Sequence, residues 1–200
     1  MRVEVQLDPS QPGEPIKVPW ENRSAGARYV DLREDAAALA QIEPARRHRP
    51  LHSLLAALNS ADSVFSSIRC AAWLDSDEPA PAGPPGGEAG ASEFASRVDL
   101  VFAEEEMNSQ RALYEGLIQQ LQDLLTRDAG DALRVRLALL PCKFHDAGQK
   151  GFALSVQLFA RGETPGQAEL RWGLGLVRVQ QALLFVSRVI RHHLTHPAQE

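Results

Sequence analysis

The chain has 200 residues, and its 26 acidic and 21 basic side chains give a net charge of -5. Apolar residues make up 44% of the chain, which is ordinary for a globular protein and excludes a fully disordered one. A net negative charge argues against a surface that as a whole binds nucleic acid or an anionic membrane, although a local basic patch is compatible with it.

The N-terminal part of the chain is predicted to be an arm. Residues 3–7 alternate polar and apolar side chains as a short strand does, and several prolines between positions 9 and 19 then break regular structure. The start carries neither the apolar core nor the cleavage site of a signal peptide, so we expect a cytoplasmic protein. We assign residues 1–27 to this arm and residues 28–200 to a single α+β domain.

Two helices are predicted next. Residues 31–42 are rich in helix-forming side chains, and Pro44 is expected to end that helix. Pro50 can occupy the first turn of a second helix, whose leucines follow the spacing of one apolar face. These leucines are Leu51, Leu54, Leu55 and Leu58.

A strand, an insertion and a second strand follow. Residues 64–74 alternate in the β pattern, and residues 97–102 resume it. Between them the chain is rich in Pro, Gly and Ala, which predicts a flexible insertion at residues 76–93. The alternative is a boundary between two domains, but neither side alone is large.

Residues 104–160 are predicted to form a helix and a hairpin. Glu104, Glu105 and Glu106 precede a leucine-rich helix, where acidic residues complement the helix dipole without any metal. Apolar positions then alternate over residues 133–139 and again over residues 152–158, with turn-forming residues between them. This is the strongest hairpin pattern in the chain, and its polar positions indicate that one sheet face meets water or a polar partner.

The last segment fits two secondary structures. Residues 170–177 can alternate as a strand, whereas apolar residues at spacings of three and four continue to residue 190 and favour a long helix capped by Thr164. Gly173 and Gly175 weaken the helix prediction, since each glycine costs a helix interior about 1 kcal/mol. We predict the helix and expect its apolar residues to contact another chain. The predicted interface residues are Trp172, Leu176, Val179, Leu183, Phe185, Val186 and Ile190.

Together these elements predict an α+β fold. It has an antiparallel sheet of four to five strands with helices packed on one face and a long C-terminal helix. Residues 172–190 are apolar enough to suggest a membrane span, but Arg178 and Arg188 interrupt them. Because each such arginine costs about 2.5–3.5 kcal/mol on insertion scales, we expect no membrane insertion.

Cysteine and histidine offer weak candidates for chemistry. Cys70 and Cys142 lie in or beside strand-like segments, which is typical of small buried thiols in a reducing compartment. Cys142 is also near Lys143 and His145, a setting that could favour thiolate, but residues three apart on a strand point to opposite faces. We therefore predict no catalytic residue.

Metal and nucleotide sites are not predicted either. His192 and His196 would share a helix face as two zinc ligands, but no third ligand lies near them in sequence. The basic run at residues 46–49 is expected to be a solvated loop. Gly173 and Gly175 lack the third glycine of the dinucleotide fingerprint, and the Walker A, nucleophile-elbow, paired Cys-x-x-Cys and His-Glu-x-x-His motifs are absent from the sequence. We expect no cofactor and no bound metal.

The leading functional hypothesis is a non-catalytic interaction or assembly module. It would self-associate as a homodimer or join a larger protein complex through the C-terminal helix, which is apolar on every side near residue 184. The net negative charge argues against nucleic acid as the partner. The alternative is a small enzyme or ligand-binding protein that binds an anionic substrate on a polar sheet face through Arg134, Arg136 and His145.

Overall fold

The structure is a computed structural model, and it describes residues 1–8, 14–22, 27–74, 92–127, 132–144 and 148–195. Short 3-10 stretches lie at Ala36–Gln41 and Glu105–Ser109. In chain order the other elements are β1 (Arg2–Gln6), β2 (Ile16–Val18), β3 (Glu21–Asn22), β4 (Ala27–Arg28), α1 (Glu43–Arg47), α2 (Arg49–Leu58), β5 (Phe65–Leu74), β6 (Ser92–Phe102), α3 (Arg111–Thr126), β7 (Leu133–Phe144), β8 (Gln149–Gly162) and α4 (Pro165–Thr195).

The main sheet has six strands and is mixed. Its order is β1-β7-β8-β6-β5, with β2 also paired to β7. The pairs among β5, β6, β8 and β7 are antiparallel, whereas β1 and β2 both run parallel to β7. The α+β class is therefore confirmed, but the purely antiparallel sheet of four to five strands is corrected. The difference arises because the two strands of the predicted N-terminal arm join the edge of the sheet.

The helices cover one face of the sheet. α4 contacts β8 and β6, α2 contacts β5, and α3 contacts β1, β7 and β8. Because α2 and α3 both contact α4 and lie over opposite ends of the strand order, α4 is the central helix of this layer. Alternate strand positions such as Val98, Leu137 and Leu158 are at most 2% exposed and pack beneath the helices. Burying this apolar face is the main stabilising contribution that the architecture offers.

The opposite face, which we call the open face, is only partly covered. At one end of the sheet Val18, Ile68 and Val101 form a second, smaller apolar cluster with Cys142. The indole Nε1 of Trp20 donates a hydrogen bond of 2.6 Å to the carbonyl oxygen of Ile68, which fixes residues 14–22, called the N-terminal segment below, on this face. Elsewhere the open face carries the charged side chains of Arg69, Arg97, Arg134 and Arg136 and the carboxylates that pair with them.

α4 is helical from Pro165 to Thr195, so the predicted helix is confirmed over the alternative strand. The backbone N–H of Gln167 donates to the hydroxyl of Thr164 at 3.3 Å, as expected of a cap. A Cβ at Gly175 would lie 3.1 Å from a methyl group of Leu158 and 3.2 Å from one of Leu133. The glycine that lowers helix propensity is therefore the residue that lets α4 lie close to the sheet.

Three sequence-based boundaries need correction. The helix predicted at residues 31–42 is only the 3-10 stretch Ala36–Gln41, which the carboxylate of Asp35 caps. Pro44 does not end that helix but occupies the first turn of α1, where a missing N–H costs nothing. Of the insertion predicted at 76–93, Ser92 and Glu93 belong to β6, and the preceding positions lie outside the described residues.

Candidate functional site

Most of the predicted interface residues on α4 lie inside this chain's own core. Phe185 is 49% exposed and Ile190 is half-buried, whereas the other five are at most 2% exposed. The indole Nε1 of Trp172 also donates a 2.8 Å hydrogen bond to the hydroxyl of Ser96 on β6. Burial thus removes five of the seven from any surface. They are Trp172, Leu176, Val179, Leu183 and Val186.

The other side of α4 carries apolar residues that the sequence analysis missed. Leu170 is 65% exposed, Leu174 60% and Val177 44%, and we call these three with Phe185 the outward row. Their spacing of four, three and eight places them on one side of the helix, opposite Trp172. A sequence signal was present, because positions 170, 174 and 177 follow the helical period, but a helix apolar on all sides does not reveal which side is buried.

Exposed arginines lie along the same helix. Arg171 donates to the carbonyl oxygen of Arg161 at 2.7 Å, and Arg188 donates to that of Leu184 at 3.3 Å, so both bond to neutral groups. Arg191 pairs with Asp62 at 2.9 Å, and Glu169 pairs with His48 at 2.9 Å. The surroundings of the outward row are therefore positively charged on balance.

The open face of the sheet holds arginines in excess over carboxylates. Glu4 lies within 3.6 Å of arginine nitrogens from Arg2, Arg134 and Arg136. Glu93 similarly pairs with Arg134 at 3.4 Å and with Arg161 at 3.0 Å. These carboxylates are shared, which leaves a net positive charge on this part of the face.

Asp99 forms the buried centre of a second group on the open face. Its side chain is 0% exposed, and its Oδ2 accepts from Arg69 Nε at 2.6 Å and lies 3.7 Å from Arg97 Nε. Within the described part of the chain Asp99 Oδ1, Ser155 Oγ and Arg97 Nε have no hydrogen-bond partner. Ser155 is directly opposite Asp99 across β6 and β8. Buried polar atoms without partners are uncommon, and they make this group costly to keep inside the protein.

Arg134 and Arg136, predicted to bind an anionic substrate, lie side by side on this face. The Arg134 guanidinium stacks 4.0 Å from the centre of the Phe159 ring, and that of Arg136 lies 5.8 Å from it. Cation–π contact and the pairing with Glu4 hold both guanidinium groups in place while leaving them partly exposed. His145 lies outside the described residues, so the structure gives the positions of only two members of the predicted group, Arg134 and Arg136.

Neither cysteine has the environment of a reactive thiol. Both are free, with Cys142 buried and Cys70 half-buried. Burial raises the pKa of Cys142 to about 11, although a backbone hydrogen bond from Lys143 opposes that shift. Burial, with a smaller contribution from Asp99, likewise raises the pKa of Cys70 to about 11. Desolvation outweighs both the backbone hydrogen bond from Lys143 and the charge of Arg69, so the surroundings of Cys142 disfavour a thiolate.

A polar cleft of about 520 Å³ lies where the N-terminal segment meets β5 and β6. Tyr29, Asp31 and Arg33 line it, and burial followed by the charge of Asp31 raises the pKa of Tyr29 to about 12. Arg33 donates to the carbonyl oxygens of Ser60, Ser63 and Phe65, each at 3.1 Å. These bonds tie the segment around Arg33 to the start of β5 and to the residues just before it, so the arginine has a structural role.

Among the described residues no group of three or more His, Cys, Asp or Glu side chains is placed to hold a metal ion. His192 lies on α4, and His196, four positions further on, is outside the described residues. One described helix, α4, is long and apolar enough to cross a membrane by length and composition, a test that core helices also pass. No family model matches the chain, and no curated protein or solved structure is significantly similar to it.

Proposed function

We propose that the chain is a non-catalytic interaction module of a larger assembly, and that the outward row of α4 contacts a partner protein. The observation that carries this proposal is the exposure of Leu170, Leu174 and Val177, at 65%, 60% and 44%, along one side of a helix whose other side is already buried. Apolar side chains grouped in this way typically mark an interaction site.

The charges around the outward row favour a different protein over a second copy of this chain. Arg171 and Arg188 bond to main-chain carbonyls, and no carboxylate among the described residues pairs with either of them. Two copies of α4 packed along this row would bring such arginines close to one another, and like charges across an interface are unfavourable. The partner is therefore an apolar helix flanked by acidic residues.

The experiment combines the mass in solution with peptide binding. Sedimentation equilibrium should give a monomer at micromolar concentration. An amphipathic helical peptide with a leucine row and glutamate flanks should bind more tightly than the same peptide with lysine flanks. Leu170→Gln combined with Leu174→Gln should weaken this binding at least tenfold.

Leu113→Gln is the matched control, because Leu113 is 37% exposed but lies on α3. It should leave peptide binding unchanged. A dimer that the double substitution on α4 dissociates would identify a second copy as the occupant and reject the acidic partner. Equal binding of both peptides would also reject it.

A second candidate function is binding of an anionic ligand on the open face. It is supported by the excess of arginines around Glu4 and Glu93. Immobilised heparin is a suitable generic polyanion. Arg136→Gln with Arg161→Gln should lower the salt concentration of elution, whereas Arg46→Gln, on α1, should not. Equal effects of both sets would reject this candidate.

A further inference from the structure

The three lysines of the chain lie side by side in the sheet. The sequence contains only Lys17, Lys143 and Lys150, while its other permanent cations are arginines. Lys17 on β2 is the register partner of Lys143 on β7, and Lys143 is in turn the partner of Lys150 on β8. All three are exposed. We call them the lysine row.

Register partners point to the same side of a sheet, and neighbouring strands are ~4.8 Å apart. The lysine row is therefore ~10 Å long, and its flexible side chains can bring three ammonium groups to one small ligand. Since the residues come from distant parts of the chain, only the strand pairing brings them together.

Three like charges in adjacent positions are unfavourable for the unliganded sheet. The arginines of the same sheet share carboxylates such as Glu4, Glu93 and Asp99. In the described part of the chain no carboxylate pairs with any residue of the lysine row. The charge of the lysine row is therefore available to an anion from outside.

A cleft adjoins the lysine row. Its volume is about 430 Å³, and Lys143 and Lys150 line it together with Pro15, Pro141 and Phe152. This volume is in the range of small-molecule sites, which typically combine apolar walls with a few polar groups. The lysines offer charge, and the prolines and the phenyl ring offer apolar surface.

We propose that the lysine row and this cleft bind a small phosphorylated molecule with an apolar body. A phosphate monoester carries nearly two negative charges near neutral pH in a compact group, and ammonium groups act on it as point charges. Its apolar part lies against Pro15, Pro141 and Phe152. A carboxylate has a single charge and would leave more of the positive charge of the lysine row uncompensated.

Lysine side-chain NMR provides a direct test, because the protein gives only three sets of ε-CH₂ signals. Phenyl phosphate, which combines a phosphate with an apolar ring, is titrated into the full chain at low ionic strength. All three sets should shift together and saturate. Inorganic phosphate should bind at least several-fold more weakly, because it lacks the ring. Saturation by neither probe would overturn the proposal, and equal affinities would overturn the assigned ligand class.

Lys143→Gln removes the centre of the lysine row and should weaken phenyl phosphate binding about tenfold, as loss of one charge-assisted hydrogen bond predicts. The signals of the remaining two lysines report whether that variant is folded. Arg46→Gln, which removes an exposed cation elsewhere, should leave the affinity unchanged. An equal loss in both variants would mean that net charge alone attracts the probe and would overturn the proposal.

The site does not depend on the proposed role of α4. The Leu170→Gln and Leu174→Gln double variant should bind phenyl phosphate as the original chain does. Loss of phosphate binding in Lys143→Gln together with unchanged peptide binding would separate the two sites.

Discussion

The covered face and the open face of the sheet use alternate residues of the same strands in different ways. On β6, Val98 and Leu100 point to the helices and are at most 2% exposed, whereas Asp99 between them points to the open face. The covered face has apolar contacts, and its polar groups are bonded, as with Trp172 and Ser96. The open face has shared carboxylates, and a few of its buried polar atoms have no hydrogen-bond partner among the described residues.

Residues of the covered face stabilise the fold, whereas exposed residues of the open face are available to bind. Substitutions on the covered face remove apolar contacts and should lower the free energy of unfolding by several kcal/mol. Charged groups that reach water contribute far less to stability, since solvent screens them. Asp99 is the exception, because it is a buried charge on the open face.

The largest effect is expected for Trp172→Ala on the covered face. Trp172 is 1% exposed, and its loss removes a large apolar contact as well as the hydrogen bond to Ser96. The free energy of unfolding should fall by about 4 kcal/mol in denaturant titrations. Leu174→Ala on the exposed side of the same helix should change it by no more than about 0.5 kcal/mol. Similar losses of unfolding free energy in both variants would show that Trp172 is not on the buried side of α4 and Leu174 on its exposed side.

The next effect is expected for Asp99→Asn on the open face. The substitution keeps the shape of the side chain but removes the charge that Arg69 and Arg97 share. A loss of about 2 kcal/mol is expected, because both arginines can still reach water. Glu4→Gln, which alters a 30% exposed carboxylate, should cost less than about 1 kcal/mol. If Asp99→Asn is neutral or stabilising, Asp99 does not organise the open face.

The sequence predicted the elements whose signals are local. The hairpin of β7 and β8 was predicted because apolar residues alternate on both strands and the partners are neighbours along the chain. The capped α4 was predicted because Thr164 and the helical spacing lie in one continuous segment. At residues 31–42 helix propensity alone was misleading, since it is a weak preference that tertiary context overrides.

Features that depend on strand register could not be predicted from the sequence. The parallel pairing of β1 with β7 places Val3 beside Val135, although most of the chain lies between these residues in sequence. No local sequence pattern predicts that pairing. The lysine row likewise exists only because Lys17 and Lys150 flank Lys143 in the register. The buried and exposed sides of α4 differ because the sheet covers only one of them, so apolar spacing could not distinguish Trp172 from Leu174.

The smallest effect is the pH dependence of stability that the two thiols cause, one thiol lying on each face of the sheet. Cys70 packs with the covered core and Cys142 with the smaller cluster on the open face. Burial raises the pKa of each thiol from 9.0 to about 11. The folded protein therefore keeps protons that the unfolded chain releases between about pH 9 and pH 11, so this part of the stability is present below pH 9 and is lost as pH rises. The buried tyrosines titrate with the same sign, so a matched variant is needed to isolate the thiols.

The Cys70→Ala and Cys142→Ala double variant provides that match. Between pH 7 and pH 10 the original chain should lose more free energy of unfolding than the double variant, by about 1 kcal/mol per thiol. Thiol alkylation gives an independent measurement, because both cysteines should react slowly at pH 8 when folded and fast when unfolded. The single variants then compare the two faces. If Cys142 reacts fast in the folded protein, the N-terminal segment does not protect the open face near it, although the covered face still protects Cys70.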